Sequence, residues 1–441
     1  MNPVETLFKQ ATDAHQKHAF DDAKKYYLQI LTLEPSFIQA HWKLATIYWQ
    51  SNDLEKVQTH YKKLLEIIPN SPALLNNLAA LSLQQNQLDR AIDYFRQALN
   101  IEPKHKESRN NLAASLLQKN EFKESIWHYS LYLNLEPDDS EALYNRAHAL
   151  MLTGQLDKAI EDLKKILNLN NQHIDAICNL AAIYLKLDDN DTAINYYQQV
   201  LTLQKNHPIA SYMLSALTQQ SIPPTPPFEY IKNLFDNYAL QFDQHLKETL
   251  AYKTPELLYE QIQPYLNNKK YTLLDLGCGT GLSGAPFAAT AEKLTGIDIS
   301  GNMLAQAKAK NCYTTLIEND ILNGLKELKE AYDLILCVDT LVYFGDLDTL
   351  FADIALRLKT DALFAFSIEL AEEVTASYQL QTTGRYQHSN LYIETLAKKH
   401  HLECLKQLTV DGRYQKNEFV KSSLFVLKNK YTHTRLIEDK L

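Results

Sequence analysis

Glycine is almost missing from the first half of this 441-residue chain: of 11 glycines, Gly154 alone precedes residue 221. A stretch that long without glycine, carrying apolar residues three and four apart, excludes a strand-and-turn fold there and predicts helix throughout. Basic excess is missing too, since 44 Lys and Arg stand against 53 Asp and Glu for a formal charge of -9. Residues 1–220 hold 25 acids and 21 bases, so the first half is no basic arm either. A face for nucleic-acid phosphates needs net positive charge, so no nucleic-acid partner is expected. The five cysteines, at 178, 278, 312, 337 and 404, are odd in number and lack zinc-type pairing. That argues against a disulfide framework or a metal site and for a reducing compartment. No run approaches the ~20 apolar residues of a membrane span, and no apolar stretch follows a basic start. The expectation is a cytoplasmic protein without membrane partner or metal. Its length predicts two or three domains.

What is present in the first half is a period of 34. Pro35, Pro69, Pro103 and Pro137 are equally spaced, each after an apolar helical run. In one register stand Ala23, Val57, Ala91, Ser125, Ala159 and Ala193, all small or modest in size. In another stand Tyr27, Tyr61, Phe95, Tyr129 and Tyr197, with Leu163 the exception. One ring facing one small side chain per repeat lets two helices approach closely. Asn171 and Lys205 replace the proline in the last two repeats. A further column, Asn77, Asn111, Asn145 and Asn179, recurs on the first helix of repeats three to six.

These registers resemble the tetratricopeptide repeat family, whose 34-residue helix hairpins carry small residues, an aromatic and a proline at such offsets. The resemblance implies six repeats, Val4 to Lys205, closed by a capping helix near Pro208 to Gln219, in a domain spanning residues 1–220. In such a superhelix the first helices line the concave face. A column of side-chain amides there can donate and accept at once, gripping successive peptide groups of an extended protein or peptide partner. The alternative is that each Asn bonds to a neighbouring repeat or faces water.

Residues 221–227, SIPPTPP, hold four prolines and read as a short stiff linker. Beyond it, a helical stretch covers 228–267. Strands follow at Tyr271–Leu276, Lys293–Ile299, Tyr313–Glu318, Tyr332–Val338, Ala362–Ser367, Leu402–Thr409 and Glu418–Leu427. Strands alternating with helices imply a parallel, doubly wound sheet, and the last two, with only the Asp411-Gly412 region between them, imply an antiparallel hairpin. At the end of the first strand stands LLDLGCGTGLSG, residues 273–284. Gly277, Gly279 and Gly281 let the backbone turn tightly and let a ligand approach. Gly279, Gly281 and Gly284 also satisfy the dinucleotide GxGxxG pattern, so the glycines alone do not choose the ligand. Asp275 precedes them, Asp298 ends the next strand at an exposed tip, and Glu318-Asn319-Asp320 closes the third.

Taken together, residues 228–430 of a domain spanning 228–441 resemble the class I S-adenosylmethionine-dependent methyltransferases, and the whole chain resembles bacterial members that carry tetratricopeptide repeats. The fold implied is multidomain: an all-α repeat superhelix, then a Rossmann-like α/β domain with a C-terminal antiparallel hairpin. The resemblance implies S-adenosylmethionine as cofactor. It implies contacts from Tyr238, Asp275, Gly277, Gly279, Gly281, Asp298, Ile299, Met303, Asn319, Asp320 and Ile321, with Asp298 on the ribose hydroxyls, Asp320 on the adenine amino group and Met303 against the adenine. FDNYALQFDQHL, residues 235–246, is similar to the lid helix of related enzymes. For Asp298 and Asp320 the structural alternative is turn or helix capping.

Methyl transfer from a sulfonium is an in-line displacement that needs alignment, desolvation and, for some acceptors, a base. Candidates lie beyond the fourth and fifth strands and in the insert before the sixth: Asp339, Tyr343 and His388 for catalysis, Arg385 and Tyr386 for the acceptor, and Glu369 and Tyr392 beside them, while a buried or surface role competes for His388. VDTLVYF after the fourth strand lacks the Asn/Asp-Pro-Pro-aromatic sequence of nucleic-acid amino methyltransferases. The function expected is methyl transfer to a protein or peptide-borne acceptor recruited by the repeats. The alternative is a small-molecule methyltransferase whose repeats mediate assembly. A scaffold that only binds a ligand is disfavoured by the intact DLGCGTG and the paired acids.

Overall fold

A computed structural model describes residues 3–244, 246, 252–267, 269–371, 377–415 and 418–430. It divides into two compact units, Met1–Tyr196 and Tyr197–Leu441. The first is built of helix hairpins: Pro3–Gln16 with Phe20–Leu33, Ile38–Gln50 with Leu54–Ile67, Pro72–Gln84 with Leu88–Ile101, Lys106–Gln118 with Phe122–Leu133, and Ser140–Leu152 with Leu156–Leu169. Ile174–Lys186 and Asn190–Leu203 follow. The small register is fully buried, Ala23, Val57, Ala91, Ser125, Ala159 and Ala193 all at 0% exposure. The rings opposite, such as Tyr27, Phe95 and Tyr129, are equally buried.

A second 34-residue column explains why so few glycines suffice. His18, Asn52, Asn86, Asn120, Gly154 and Asp188 all adopt positive φ, between 57° and 75°. After each, the next N–H reaches back five residues, as from Asp53 to the Tyr48 carbonyl at 2.9 Å and from Gln155 to the Leu150 carbonyl at 2.9 Å. This is the Schellman ending of an α-helix, and it satisfies carbonyls that the helix leaves open. Asn and Asp tolerate the left-handed region better than other side chains, so the repeats turn without glycine in most places.

In the second unit the helix Pro208–Thr218 comes first. Its Tyr212 hydroxyl donates to the Gly384 carbonyl at 2.9 Å, and the Gln219 amide donates to the Leu380 carbonyl at 2.8 Å. Residues 197–220, read from sequence with the repeats, thus pack within this unit. The proline segment is held as well. The Tyr386 hydroxyl donates to the Pro223 carbonyl at 2.6 Å, and Gly345 N–H to the Pro224 carbonyl at 2.8 Å.

The strands are β1 Tyr271–Leu276, β2 Ala291–Asp298, β3 Thr315–Glu318, β4 Tyr332–Cys337, β5 Leu358–Glu369, β6 Tyr378–Leu380, β7 Tyr386–His388, β8 Leu402–Gln415 and β9 Glu418–Asn429. Seven form one sheet in the order β3-β2-β1-β4-β5-β9-β8. Pairing is parallel from β3 through β5, and β9 joins antiparallel to both β5 and β8. Both faces are buried, as a parallel sheet requires. Leu273, Leu294, Leu334 and Leu363 fill one face, and Leu274, Ile297, Ile335 and Phe364 the other. The short antiparallel pair β6–β7 was not expected from sequence. Nor does an α-helix join β1 to β2, where only the single 3-10 turn Ala285–Phe287 is found.

Gly154 isolates the cost of the repeat turn, because a Cβ there would meet no atom within 4 Å. Only the left-handed backbone then penalises a side chain, by roughly 1–2 kcal/mol. Gly154→Ala should lower the unfolding free energy of the repeats by about that much, and Gly154→Asn by markedly less. Urea denaturation of the two variants checks the ordering.

Candidate active site

β1 runs into the loop Gly277–Ser283, which folds back over β2: the N–H groups of Gly277 and Cys278 both donate to the Ile297 carbonyl, at 2.8 and 3.0 Å. A Cβ at Gly277 would stand 2.3 Å from Thr340 Oγ1. The loops after β1 and β4 therefore meet only because that side chain is absent. This is where the strand order reverses, the edge at which open α/β sheets bind ligands.

Asp298 closes the loop from the β2 side. Its Oδ2 accepts from Gly279 N–H at 2.8 Å and its Oδ1 from Ser300 N–H at 2.9 Å. The residue is only 7% exposed, a correction to the exposed tip read from sequence, because the glycine loop folds over it. Burial raises its carboxyl above the usual range, while the two N–H bonds oppose that rise. Ser300 caps the helix Gly301–Ala309 through Met303 N–H at 3.1 Å. Its hydroxyl donates to Asp236 at 2.6 Å. Asp236 belongs to the helix Phe228–Gln244, which carries the expected lid; of that lid, His245 lies outside the described residues. A second latch joins Asp243 of this helix to Lys310 at 2.6 Å and to the Thr280 hydroxyl.

Between the loop, the lid helix and the segment after β4 lies a cavity of about 860 Å³. Tyr238, Gly277, Gly279, Asp298, Ile299, Asn319, Asp320 and Ile321 line it together, as do Asp339, Tyr343 and Arg385. Asp320 also caps the helix Ile321–Glu327, accepting from Asn323 N–H at 2.9 Å, so the capping role and the cavity position coexist. Asp339 sits at φ +51°, a strained conformation for a residue other than glycine. Its N–H donates to Ser367 Oγ at 2.7 Å, and that hydroxyl donates to Asp339 Oδ1 at 2.6 Å.

Asp275, Gly281, Met303, Tyr386 and His388 are not among the lining residues. Asp275 is fully buried behind the loop; its Oδ2 accepts from Ser283 at 2.7 Å and Tyr313 at 2.6 Å, and its Oδ1 has no partner. A Cβ at Gly281, Gly284 or Gly296 would come within 2.9, 2.4 or 2.8 Å of the Tyr313 ring. Gly281 therefore makes room for that ring rather than for a ligand. Met303 is buried inside its own helix, and Tyr386 anchors Pro223. His388 is fully buried, donating Nε2–H to the Gly345 carbonyl at 3.1 Å and stacking on Tyr392. Burial lowers its imidazole to about 4, so it stays neutral and serves packing.

In the first unit one member of the asparagine column is bonded to a neighbouring repeat. Asn111 donates to Asn76 Oδ1 of the preceding repeat at 3.1 Å. All four column residues, Asn77 included, are half-buried.

Sequence reading missed Arg413, which also lines the cavity. The pairing of β8 with β9 slips by one residue between Asp411 and Tyr414. At Gly412, inside this bulge, a Cβ would stand 2.4 Å from Ser422 Oγ. A bulge re-aims side chains, and a glycine within a strand was its available signal.

A family model described as a methyltransferase domain matches residues 273–361, and tetratricopeptide-repeat models match 36–104, 138–206 and 82–149. The chain joins tetratricopeptide repeats to a class I S-adenosylmethionine-dependent methyltransferase domain. A probable methyltransferase, ltbC, of Aspergillus luteorubrus is 32% identical over 120 residues, covering 24% of this chain and 42% of the relative. The magnesium protoporphyrin IX methyltransferase of Arabidopsis thaliana is 31% identical over 105 residues, covering 23% and 30%. The malonyl-[acyl-carrier protein] O-methyltransferase of Bacillus anthracis is 27% identical over 157 residues, covering 34% and 57%. The chain thus spans between 30% and 57% of the length of these relatives.

The residues present suit S-adenosylmethionine. Asp298 faces the cavity with each oxygen bound to one N–H, which leaves lone pairs for a vicinal diol, and Gly279 keeps open a wall where a side chain would intrude.

Asp275 makes the loop sensitive to pH. Burial raises its carboxyl from 3.8 to about 6. Its protonated form is favoured in the fold, so its contribution is full below pH 3.8 and is lost as pH rises through 6. Asp275→Asn should remove a fall in stability that the wild-type protein shows between about pH 4 and 6. Thermal unfolding across that range tests it.

Proposed function

We propose that the second unit transfers a methyl group from S-adenosylmethionine to an acceptor carried on a protein or peptide, and that the repeats recruit that carrier. The observation carrying this reading is the cavity that joins Gly279 and Asp298 to Asp339, Tyr343 and Arg385 in one volume of about 860 Å³. The cofactor supplies an electrophilic methyl on its sulfonium. Asp298 would hold its ribose, Asn319 and Asp320 would face its adenine, and the aromatic lid helix would exclude water. Asp339 and Tyr343, in the segment that follows β4, are groups within this cavity suited to take a proton from the acceptor.

A second reading, methyl transfer to a free small molecule with the repeats serving assembly, draws support from the asparagine column. Bonds such as Asn111 to Asn76 occupy part of what a bound peptide would need.

Calorimetry with S-adenosylhomocysteine tests the cofactor assignment directly. Asp298→Ala should weaken binding by about 1.5–3 kcal/mol, the range for hydrogen bonds to a charged group. It should also destabilise the fold, because two backbone N–H groups lose their acceptor. Asp298→Asn keeps an acceptor oxygen and should spare stability more than affinity. Unchanged affinity in both variants would remove Asp298 from the cofactor site.

Incubating the full chain with radiolabelled S-adenosylmethionine and a cell extract separates the two acceptor readings. Recruitment predicts label in the protein fraction. Label confined to small organic-soluble products would leave the second reading standing.

A further inference from the structure

The part of the cavity away from the glycine loop contains an arginine whose bonding is incomplete. Glu369, at the end of β5 and 5% exposed, is the anchor. Its Oε1 accepts Arg385 Nε at 2.7 Å and faces Arg385 Nη2 at 2.7 Å. Arg385 Nη1 donates to the Tyr343 hydroxyl at 2.7 Å, and its guanidinium lies 5.0 Å from the centre of that ring. Arg385 is therefore fully engaged. Arg413 is not: among the described residues it keeps a single ion-pair contact, to the same Glu369 oxygen at 3.1 Å, and its Nε is buried with no hydrogen-bond partner.

The neighbouring carboxylate does not fill the deficit. Asp339 Oδ1 is occupied by the Ser367 hydroxyl at 2.6 Å. Among the described residues two positive and two negative side chains formally cancel here, so the unused donor of Arg413, not net charge, points to a ligand. The balance at Arg413 itself is nevertheless uncompensated. Burial and the adjacent Arg385 lower its guanidinium, and the weaker attractions of Glu369, Tyr343 and Asp339 do not restore it. A planar acceptor of opposite charge answers both needs, because a carboxylate matches the guanidinium fork with two charge-assisted bonds.

Aromatic rings stand in the same wall. Phe235 from the lid helix packs edge-on against Tyr343 at 5.3 Å, and both line the cavity beside the arginines. A ligand held here would present a carboxylate to Arg413 and an apolar or aromatic body to these rings.

We infer that the acceptor is a carboxylate-bearing molecule with an apolar body, its carboxylate seated on Arg413, which the Arg385–Glu369–Tyr343 cluster holds in place. The inference rests on the methyltransferase reading and adds an acceptor class to it. Arg385 and Glu369 were sequence expectations; Arg413 comes from the bulged strand.

The test uses the full chain with benzoate and benzamide, which share shape but not charge, titrated by ligand-observed NMR with and without saturating S-adenosylhomocysteine. Benzoate should bind about tenfold more tightly than benzamide, ~1.4 kcal/mol. Arg413→Gln should abolish that preference while leaving S-adenosylhomocysteine affinity unchanged, the sign that the cavity is intact. Should Arg413→Gln not fold, Arg413→Lys keeps the charge without the fork and should retain a reduced preference for benzoate. Equal affinity for the two probes, no binding of benzoate at millimolar concentration, or an undiminished preference in the Arg413 variants would overturn the inference. Failure of S-adenosylhomocysteine to bind would instead overturn the methyltransferase reading, and the cofactor-free titration would still report on Arg413 by itself.

Discussion

The carboxylate of Asp298 is the constraint on which the site depends. Its two oxygens tie Gly279 N–H and Ser300 N–H together, so the loop after β1 and the helix after β2 are fixed by one side chain. Ser300 passes that constraint to the lid helix through Asp236, and Thr280 of the same loop is joined to Asp243 one turn and more along it. The loop, the strand end and the lid are thereby set as one body. A buried acid is costly unless it is hydrogen-bonded, and here the backbone supplies the bonds while leaving one side of the carboxylate open. The same residue that stabilises the loop is thus available to a ligand.

The two units solve the problem of ending a secondary element differently. In the repeats, a left-handed Asn, Asp, His or Gly stops each first helix, and the following N–H closes it. In the sheet, strand ends are finished by acids whose oxygens accept from the next turn, as at Asp298 and Asp320. The first device needs only short polar side chains in sequence order. The second leaves its acids at the ligand-binding edge, which is why chemistry gathers in the second unit.

The cofactor half of the cavity was legible because its signals are local. Glycines that must take positive φ and acids that end strands sit within a few residues of the elements they serve. Gly281 misled, since its missing side chain makes space for Tyr313, which lies far along the chain beyond β2. His388 misled for a related reason: nothing in GRYQHSNLY tells a buried, carbonyl-bonded imidazole from a free one. The asparagine column was correctly spaced. Yet the period that aligns Asn111 with Asn145 also brings Asn76 beside Asn111, and periodicity alone does not choose between a partner and a neighbour. The β6–β7 pair escaped because three-residue strands carry too little alternation to register.

The bulge at Gly412 places part of the cavity wall under the control of strand register rather than of loop sequence. Successive side chains of a strand point to opposite faces, so the one extra residue on β8 decides whether position 413 faces the cavity or turns away. Deleting or adding a single residue in this stretch would exchange Arg413 for its neighbour Tyr414 or Gly412 at the wall, while the β5–β9 pairing beneath kept its own hydrogen bonds. The choice of acceptor in this architecture is therefore open to change by insertion and deletion in an edge strand, without any substitution at the cofactor loop.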